Sequence, residues 1–278
     1  MSLVASTKPI SRILPFTRTE NRTSELFNRY LSVVPADTPS LLDQAFRLRF
    51  QVYCVERGFE NPTDYPDGRE RDRDDDRSLH SLLIDRATCS AVGTVRLILP
   101  RGRDELPVFG VIGPRERSVT RLPSETTAEV SRFAVAKSFR RQIEHGWYSH
   151  SGSTTIAGRV RTDVTQLLTF GLIRAVVMMS AFGGITHIVG MMEPTLLRLL
   201  GRLGIAFHPL GERVEHHGIR QPGWAVMKQL IASIKNCHPE LGEVITDPRL
   251  RNPSLAVDNP ILNKISKKRG AQYFTIRD

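Results

Sequence analysis

The apolar positions of the chain follow two periods, one typical of helices and one typical of strands. Between residues 40 and 57 they recur at helical spacing, which predicts an amphipathic helix with Ser40 as its N-cap. Apolar runs of strand length follow at 80–88 and 91–100, and a third strand is predicted from about Ala128 to Ala136. The stretch between the helix and the first strand is too rich in Pro, Gly and charge for regular structure, so we expect a loop there.

The second half of the chain continues the alternation of helices and strands. Such alternation is typical of an α/β protein with a mixed sheet. The predicted elements are helices from Thr162 or Asp163 to 182, at 193–204 and at 224–238, strands at 184–192 and 205–211, and a strand or hairpin at 213–223.

These elements indicate one folded domain at 40–240. An N-terminal arm at 1–39 precedes it, and a tail at 241–278, rich in Pro, Asn and Lys, follows it. The most apolar stretch, 167–192, is interrupted by Arg174 and by glycines, so we expect a soluble protein without a membrane span. The three cysteines form no C-x-x-C pair, which favours a reducing compartment such as the cytoplasm and argues against a metal site.

The charge balance limits the possible partners. The net charge is +10, which favours an acidic protein, an anionic membrane surface or nucleic acid as a partner. The sequence shows no helix-turn-helix, zinc finger or aromatic RNA-binding motif, so we expect no nucleic-acid partner. An acidic protein partner and peripheral contact with a membrane surface stay open.

A strongly acidic run interrupts this basic chain at residues 67–80, DGRERDRDDDRSLH. Three arginines, Arg49, Arg96 and Arg132, lie at otherwise apolar positions of the predicted helix and strands. Because an unpaired buried charge costs several kcal/mol, on the order of 3–5 in proteins, these arginines need partners. We predict that carboxylates of the run neutralise them around a polar cleft. The alternative is a solvated loop of alternating charge.

Glu129 is likewise a charged residue in a strand, AEVSRFAV, whose covered faces should be apolar. It stands three residues before Arg132, so the two side chains project to opposite faces of an ideal strand unless a bulge brings them together. A carboxyl held in a partly desolvated strand has a raised pKa and can act as a general base. The alternative is an exposed strand start where Glu129 is simply solvated.

Several of these residues occur in the order and spacing of the motifs of acyl-homoserine-lactone (autoinducer) synthases. The acidic run and the SRFAVAKSFRR segment also resemble the acyltransferases encoded with PEP-CTERM/exosortase systems and the related N-acyl amino acid synthases. The likeness extends over about residues 40–225. The matching positions are Arg49, Val52 and Tyr53, then Glu70, Asp72 and Asp75, then Arg96, and finally Glu129, Ser131 and Arg132.

The resemblance implies the GCN5-related N-acetyltransferase (GNAT) fold, with a mixed, splayed central sheet flanked by helices. It also implies acyl transfer from a thioester to an amine. The substrate would be a zwitterionic acceptor, held by bidentate contacts from arginine to its carboxylate and from acids to its ammonium. The substrate-binding residues would be Arg49, Glu70, Asp72, Asp75, Arg96, Ser131 and Arg132.

Glu129 is the first candidate for the base that takes the amine proton, and His80 is the second. Backbone N–H groups near Phe133 and Val135 would stabilise the oxyanion. Cys54 has no evident histidine partner, so we expect no acyl-cysteine intermediate.

The pyrophosphate-binding loop usual in acetyltransferases is absent after the SRFAV strand. This absence favours acyl carrier protein over coenzyme A as the thioester donor, with no permanently bound cofactor. Carrier proteins are acidic, and the candidate docking residues are Arg140, Arg141, Arg159 and Arg161. Two alternatives stay open: a homoserine-lactone synthase that uses S-adenosylmethionine, and a non-catalytic protein that binds acyl thioesters.

Overall fold

The computed structural model describes residues 20–101, 106–113, 121–137, 139 and 157–246. Its helices are α1 (Glu20–Tyr30), α2 (Pro39–Arg49), α3 (Pro107–Val111), α4 (Ala157–Gly183), α5 (Pro194–Arg202), α6 (Met227–Cys237) and α7 (Pro239–Thr246). Its strands are β1 (Leu31–Pro35), β2 (Ser78–Asp85), β3 (Ser90–Ile98), β4 (Thr127–Val135), β5 (His187–Met192), β6 (His208–Pro209), β7 (Val214–Glu215) and β8 (Ile219–Val226).

One mixed sheet organises the described chain, in the order β1-β2-β3-β4-β5-β8-β6, and β7 pairs with β8. The pairs are antiparallel except β4 with β5, which is parallel. One face packs against α4, whose Phe170 and Leu172 are fully buried, and the other face packs against α2 through Ala45 and Leu48. The prediction of an α/β fold with a mixed sheet flanked by helices is confirmed.

The two parallel strands separate part of the way along their length. β4 pairs with β5 only from Thr127 to Glu129, whereas β4 continues to Val135 and β5 to Met192. Beyond Glu129 the two strands diverge, and we call the opening between them the β4–β5 notch. Gly190 stands at the point of divergence, where an added Cβ would lie 2.9 Å from the carbonyl oxygen of Val130.

Three predicted element boundaries are wrong. The N-cap of α2 is Thr38 and not Ser40, because the Thr38 side chain accepts a hydrogen bond from the Leu41 amide and Pro39 follows at the first helical position. The helix α4 begins at Ala157, before the predicted cap at Thr162 or Asp163. Residues 224–226 belong to β8, because they pair with β5 in the middle of the sheet, where Trp and Val fit well.

The packed unit extends beyond residues 40 and 240. Phe27 of α1 and Leu31 of β1 are buried in the same core as α4, and β1 adds an edge strand to the sheet beside β2. Val244 and Ile245 of α7 are also buried there. Within the described ranges, no helix combines the length and the apolar character needed to cross a bilayer.

The β4–β5 notch depends on the small size of residue 190. Gly190→Ala places a methyl group against the Val130 backbone, so we expect a loss of about 1–3 kcal/mol in the free energy of unfolding, measured by urea denaturation. The matched control is Gly201→Ala in α5, where an added Cβ meets nothing within 4 Å. We expect this control to be neutral or stabilising, because alanine favours helices. Equal effects of the two substitutions would contradict the close approach at Gly190.

Candidate functional site

Arg49 ends α2 and points into the protein. The chain continues directly into a π-helix at Phe50–Glu56, and the Arg49 side chain is completely buried. Its Nε donates to Glu70 Oε2 at 2.5 Å, and its Nη1 donates to Asp75 Oδ1 at 2.7 Å. The acidic run therefore supplies both partners of a guanidinium that has no access to solvent.

Arg96 and Arg132 join the same carboxylates from the sheet. Arg96 Nη1 donates to Asp72 at 2.6 Å and to Asp75 at 2.7 Å. Arg132 Nη2 donates to Glu70 at 2.8 Å and to Asp72 at 3.1 Å. The three arginines and three acids form one connected set, which we call the Arg–acid network.

A β-bulge in β4 makes this convergence possible. Thr94 pairs with Ala134 and Arg96 pairs with Ser131, so one residue of β3 faces two residues of β4. Arg132 lies in the bulge with a φ of 51°, an uncommon value for a residue with a side chain. The extra residue lets Arg132 reach the carboxylates that Arg96 also contacts, which an ideal strand would not allow.

The charges of the network balance, three against three. Burial raises the pKa of Glu70 and of Asp75, but hydrogen bonds and charges from the arginines outweigh it and hold both pKa values below the usual range. The carboxylates are therefore ionised and paired. The predicted network of opposite charges is present, and for Glu70 and Asp75 the alternative of a solvated loop is wrong.

Only part of the network can meet a substrate. The side chains of Arg49 and Glu70 are 0% exposed and that of Arg96 is 3% exposed, whereas Asp72 is 30% and Arg132 is 21% exposed. Ser131 Oγ accepts a hydrogen bond from Arg96 Nε at 2.9 Å. The structure thus brings all seven predicted substrate-binding residues together, but it exposes chiefly Asp72 and Arg132, which we call the exposed edge.

Glu129 lies on the same face of the sheet as Arg96, at the last residue that pairs β4 with β5. It is 4% exposed, and its Oε2 accepts a hydrogen bond from the Val108 amide at 2.8 Å. Ile98 and Val189, its partners on the neighbouring strands, belong to a buried apolar cluster. Burial raises the pKa of Glu129 to about 7, although the Val108 hydrogen bond opposes the shift. The alternative of a solvated strand start is wrong.

The short helix α3, which covers Glu129, was not predicted from the sequence. Val108 of this helix is fully buried and provides the amide that fixes the carboxylate. Pro107 at the first helical position was the available signal for a helix start.

His80 is enclosed on β2. Its ring is T-shaped against Phe46 and lies 3.7 Å from Asp75, and neither ring nitrogen has a hydrogen-bond partner within the described part of the chain. Burial lowers the pKa of His80 to about 4, so the ring is neutral at physiological pH. The geometry favours Glu129 over His80 as the base.

The remaining predicted residues fall into three groups. Phe133 and Val135 are half-buried on β4 beyond its last pair with β5, so their backbone borders the β4–β5 notch. Cys54 is buried, and burial raises the pKa of its thiol to about 11, which fits no nucleophilic role. Among the docking candidates, Arg140 and Arg141 lie outside the described residues, and Arg159 and Arg161 lie on α4, where only the backbone is described.

Two residues near the exposed edge, Glu60 and His217, were not identified from the sequence, whereas Tyr53 is one of the matching motif positions. Tyr53 lies under the Arg132 guanidinium, and Glu60 lies 3.9 Å from Arg132 Nη2. Glu60 also lies 3.9 Å from His217, at the turn between β7 and β8. Gly58, with a φ of 63°, ends the π-helix and was a visible signal for a turn, but no signal indicated that two distant segments meet. Within the described ranges, no group of three or more His, Cys, Asp or Glu side chains is placed to hold a metal ion.

Removal of the buried guanidinium is expected to destabilise the fold strongly. Arg49→Met leaves Asp75 with fewer cations and Glu70 with Arg132 alone, so we expect a loss of about 3–5 kcal/mol in the free energy of unfolding. Urea denaturation with intrinsic fluorescence measures it. Arg47→Met, which breaks an exposed ion pair on the same helix two residues before Arg49, is the control and is expected to cost at most about 1 kcal/mol. Similar losses for both variants would rule out the structural role of Arg49.

The raised pKa of Glu129 makes the free energy of unfolding depend on pH. Folding raises the pKa of Glu129 from the ordinary 4.5 to about 7, so the contribution of the neutral carboxyl to stability is fully present below pH 4.5 and is lost as the pH rises through 7. Glu129→Gln does not ionise. We expect its stability relative to wild type to increase by up to about 3 kcal/mol between pH 4.5 and pH 8, measured by urea denaturation. Glu212→Gln, at an exposed position, is the control. A flat difference for Glu129→Gln would refute the shift.

Comparison with known proteins agrees with this geometry. Residues 48–145 match the family model of the acetyltransferase (GNAT) domain, and they contain the Arg–acid network, the β4 bulge and Glu129. No curated protein matches the chain.

Solved structures share the architecture at low sequence identity. The CoA-dependent acyl-homoserine lactone synthase BjaI, solved with MTA, is 22% identical with a TM-score of 0.53, over 77% of this chain and 89% of that chain. TofI, solved in a ternary complex with an inhibitor and MTA, is 20% identical with a TM-score of 0.51, over 76% of this chain and 99% of that chain. Both are similar to this chain in fold. Residues 48–145 therefore carry a GNAT acetyltransferase domain, and this domain together with the splayed sheet supports an acyltransferase enzyme.

Proposed function

We propose that the protein transfers a fatty acyl group from an acyl carrier protein thioester to the amine of an amino acid or a similar small acceptor. The observation that carries this proposal is Glu129, a buried carboxyl with a pKa of about 7 at the mouth of the β4–β5 notch. A group with this pKa is ionised often enough at neutral pH to accept a proton and is basic enough to use it.

The reaction needs a base, groups that stabilise the oxyanion, and room for the thioester arm. The acceptor nitrogen attacks the thioester carbonyl, the C–N bond forms, and Glu129 takes the amine proton directly or through water. Backbone N–H groups along β4 near Phe133 and Val135 stabilise the oxyanion. The C–S bond then breaks, and the thiolate leaves and takes up a proton. The notch supports this proposal, because separated strands leave room for an extended thioester arm beside the β4 backbone.

The exposed edge is where we place the acceptor amine. Asp72 offers a carboxylate that meets solvent, and Arg132 lies beside it. The buried members of the Arg–acid network, among them Arg49, then act by positioning this edge.

The donor proposal depends on charge and on a missing loop. The chain carries a net charge of +10, which suits an acidic carrier protein, and the SRFAV strand is followed by AKSFRR, which contains no glycine-rich phosphate loop. The docking candidates Arg140, Arg141, Arg159 and Arg161 stay part of the proposal, as do a cytoplasmic location and the likeness to exosortase-associated acyltransferases. Acyl-CoA is the competing donor.

The test is release of free thiol from a long-chain acyl carrier protein, with and without a mixture of amino acids. We expect release that depends on the amino acids, and a loss in kcat of about 100-fold or more in Glu129→Gln. The wild-type kcat at saturating acceptor is expected to rise with pH up to about 7 and then to level off, because Glu129 must be ionised. Glu212→Gln is the control with unchanged activity.

Each negative outcome of the thiol-release test contradicts a different part of the proposal. Normal turnover in Glu129→Gln removes Glu129 as the base. Carrier-protein binding without thiol release under any acceptor contradicts the enzyme proposal and favours a thioester-binding protein. Release of methylthioadenosine from S-adenosylmethionine would favour a homoserine-lactone synthase instead. Equal or better turnover with acyl-CoA would overturn the choice of donor.

A further inference from the structure

A pair of arginines beside the exposed edge is not part of the Arg–acid network. Arg57 follows the π-helix and Arg220 lies on β8, and both approach Glu193 at the start of α5, at 3.6 Å and 3.5 Å. Both guanidiniums also lie over the ring of Phe59, at 5.7 Å and 5.4 Å from its centroid. We call these four residues the Phe59 clamp.

The clamp carries unbalanced positive charge. Within the described part of the chain, Glu193 is the only carboxylate within 4.0 Å of either guanidinium, so two cations share one anion. Both separations exceed the length of a hydrogen bond between a guanidinium and a carboxylate, which is about 2.7–2.9 Å. Arg57 is 41% and Glu193 is 37% exposed, so a small anion can reach them from solvent.

The clamp adjoins the exposed edge. Phe59 is next to Glu60, which lies 3.9 Å from Arg132 Nη2. The Phe59 ring lies 6.4 Å from the ring of Tyr53 and 5.8 Å from that of His217. A region with spare positive charge therefore lies next to a region where two carboxylates, Glu60 and Asp72, reach the surface.

The hairpin of β7 and β8 holds Arg220 in place. Arg220 Nη2 donates to the carbonyl oxygen of His217 at 2.7 Å. His217 and Gly218 turn the chain with φ values of 52° and 92°, and Gly218 N–H donates to Glu215 at 2.9 Å. An arginine fixed in this way loses little further freedom when it binds a ligand, which favours affinity.

We propose that the Phe59 clamp binds the α-carboxylate of the acceptor and that Glu60 and Asp72 meet its ammonium group. This assignment rests on the proposed function and makes the acceptor an amino acid and not a simple amine. The arginines of the Arg–acid network are poorly suited to this role, because each is paired with a buried or largely buried carboxylate and breaking such a pair is costly. Binding of a carboxylate by Arg57 and Arg220 requires no buried ion pair to be broken.

The test compares an amino acid with the amine of the same side chain that lacks the carboxylate. In Arg57→Gln and Arg220→Gln we expect KM for the amino acid to rise about tenfold or more, with little change in kcat. KM for the matched amine should stay within about twofold. The control is Arg198→Gln, at an exposed position of α5 where the side chain donates to Thr195.

Glu193→Gln tests the same idea in the opposite direction. It removes the shared anion and frees both guanidiniums, so KM for the amino acid should fall while KM for the amine is unchanged. Equal increases in KM for amino acid and amine in Arg57→Gln and Arg220→Gln would overturn the clamp and leave the acyltransferase proposal intact. If Arg57→Gln or Arg220→Gln fails to fold, Glu193→Gln and Arg57→Lys still test the clamp. Arg57→Lys keeps the charge, so it should retain part of the discrimination between the amino acid and the amine. Absence of amino-acid-dependent thiol release in wild type would instead contradict the proposed function itself.

Discussion

The burial of Arg49 is the constraint on which the rest of the site depends. A guanidinium without solvent contact must be neutralised locally, and Glu70 and Asp75 do this from the acidic loop. These two acids in turn hold Arg132 and Arg96 on neighbouring strands. One buried charge therefore connects a helix, a loop and two strands, and it explains why an acidic run occurs in a basic chain.

The strand β4 creates two opposite electrostatic environments within four residues. Its bulge turns Arg132 toward the carboxylates, where ionised acids are stabilised and the pKa of Glu70 is low. Glu129, three residues earlier, faces apolar neighbours and has a pKa of about 7. The protein thus keeps some carboxylates permanently charged and leaves one able to exchange a proton near neutral pH, at the opening between the strands.

The buried residues of the network and the partly exposed residues around it also have different roles in the proposed reaction. Buried and paired charges fix the geometry of the network, so in the proposed reaction the acceptor is recognised by partly exposed groups at its border. The segment that includes Phe59 and Glu60 and the hairpin that includes His217 supply this border, and they come from opposite ends of the domain. Because their contacts are exposed ion pairs and ring contacts, each worth about 1 kcal/mol or less, small adjustments on ligand binding cost little.

The sequence by itself determined the alternation of helices and strands and the need for buried arginines such as Arg49 to find carboxylate partners, because periodicity and the cost of burying charge act locally. The order of the motifs also indicated a splayed sheet and identified Glu129. Only the tertiary structure decided that Arg132 reaches the network through a bulge, and that the backbone of Val108 fixes Glu129. It also decided that Arg57 and Arg220, 163 positions apart, share Glu193. Such contacts depend on the packing of distant segments, for which the local pattern of residues carries no signal.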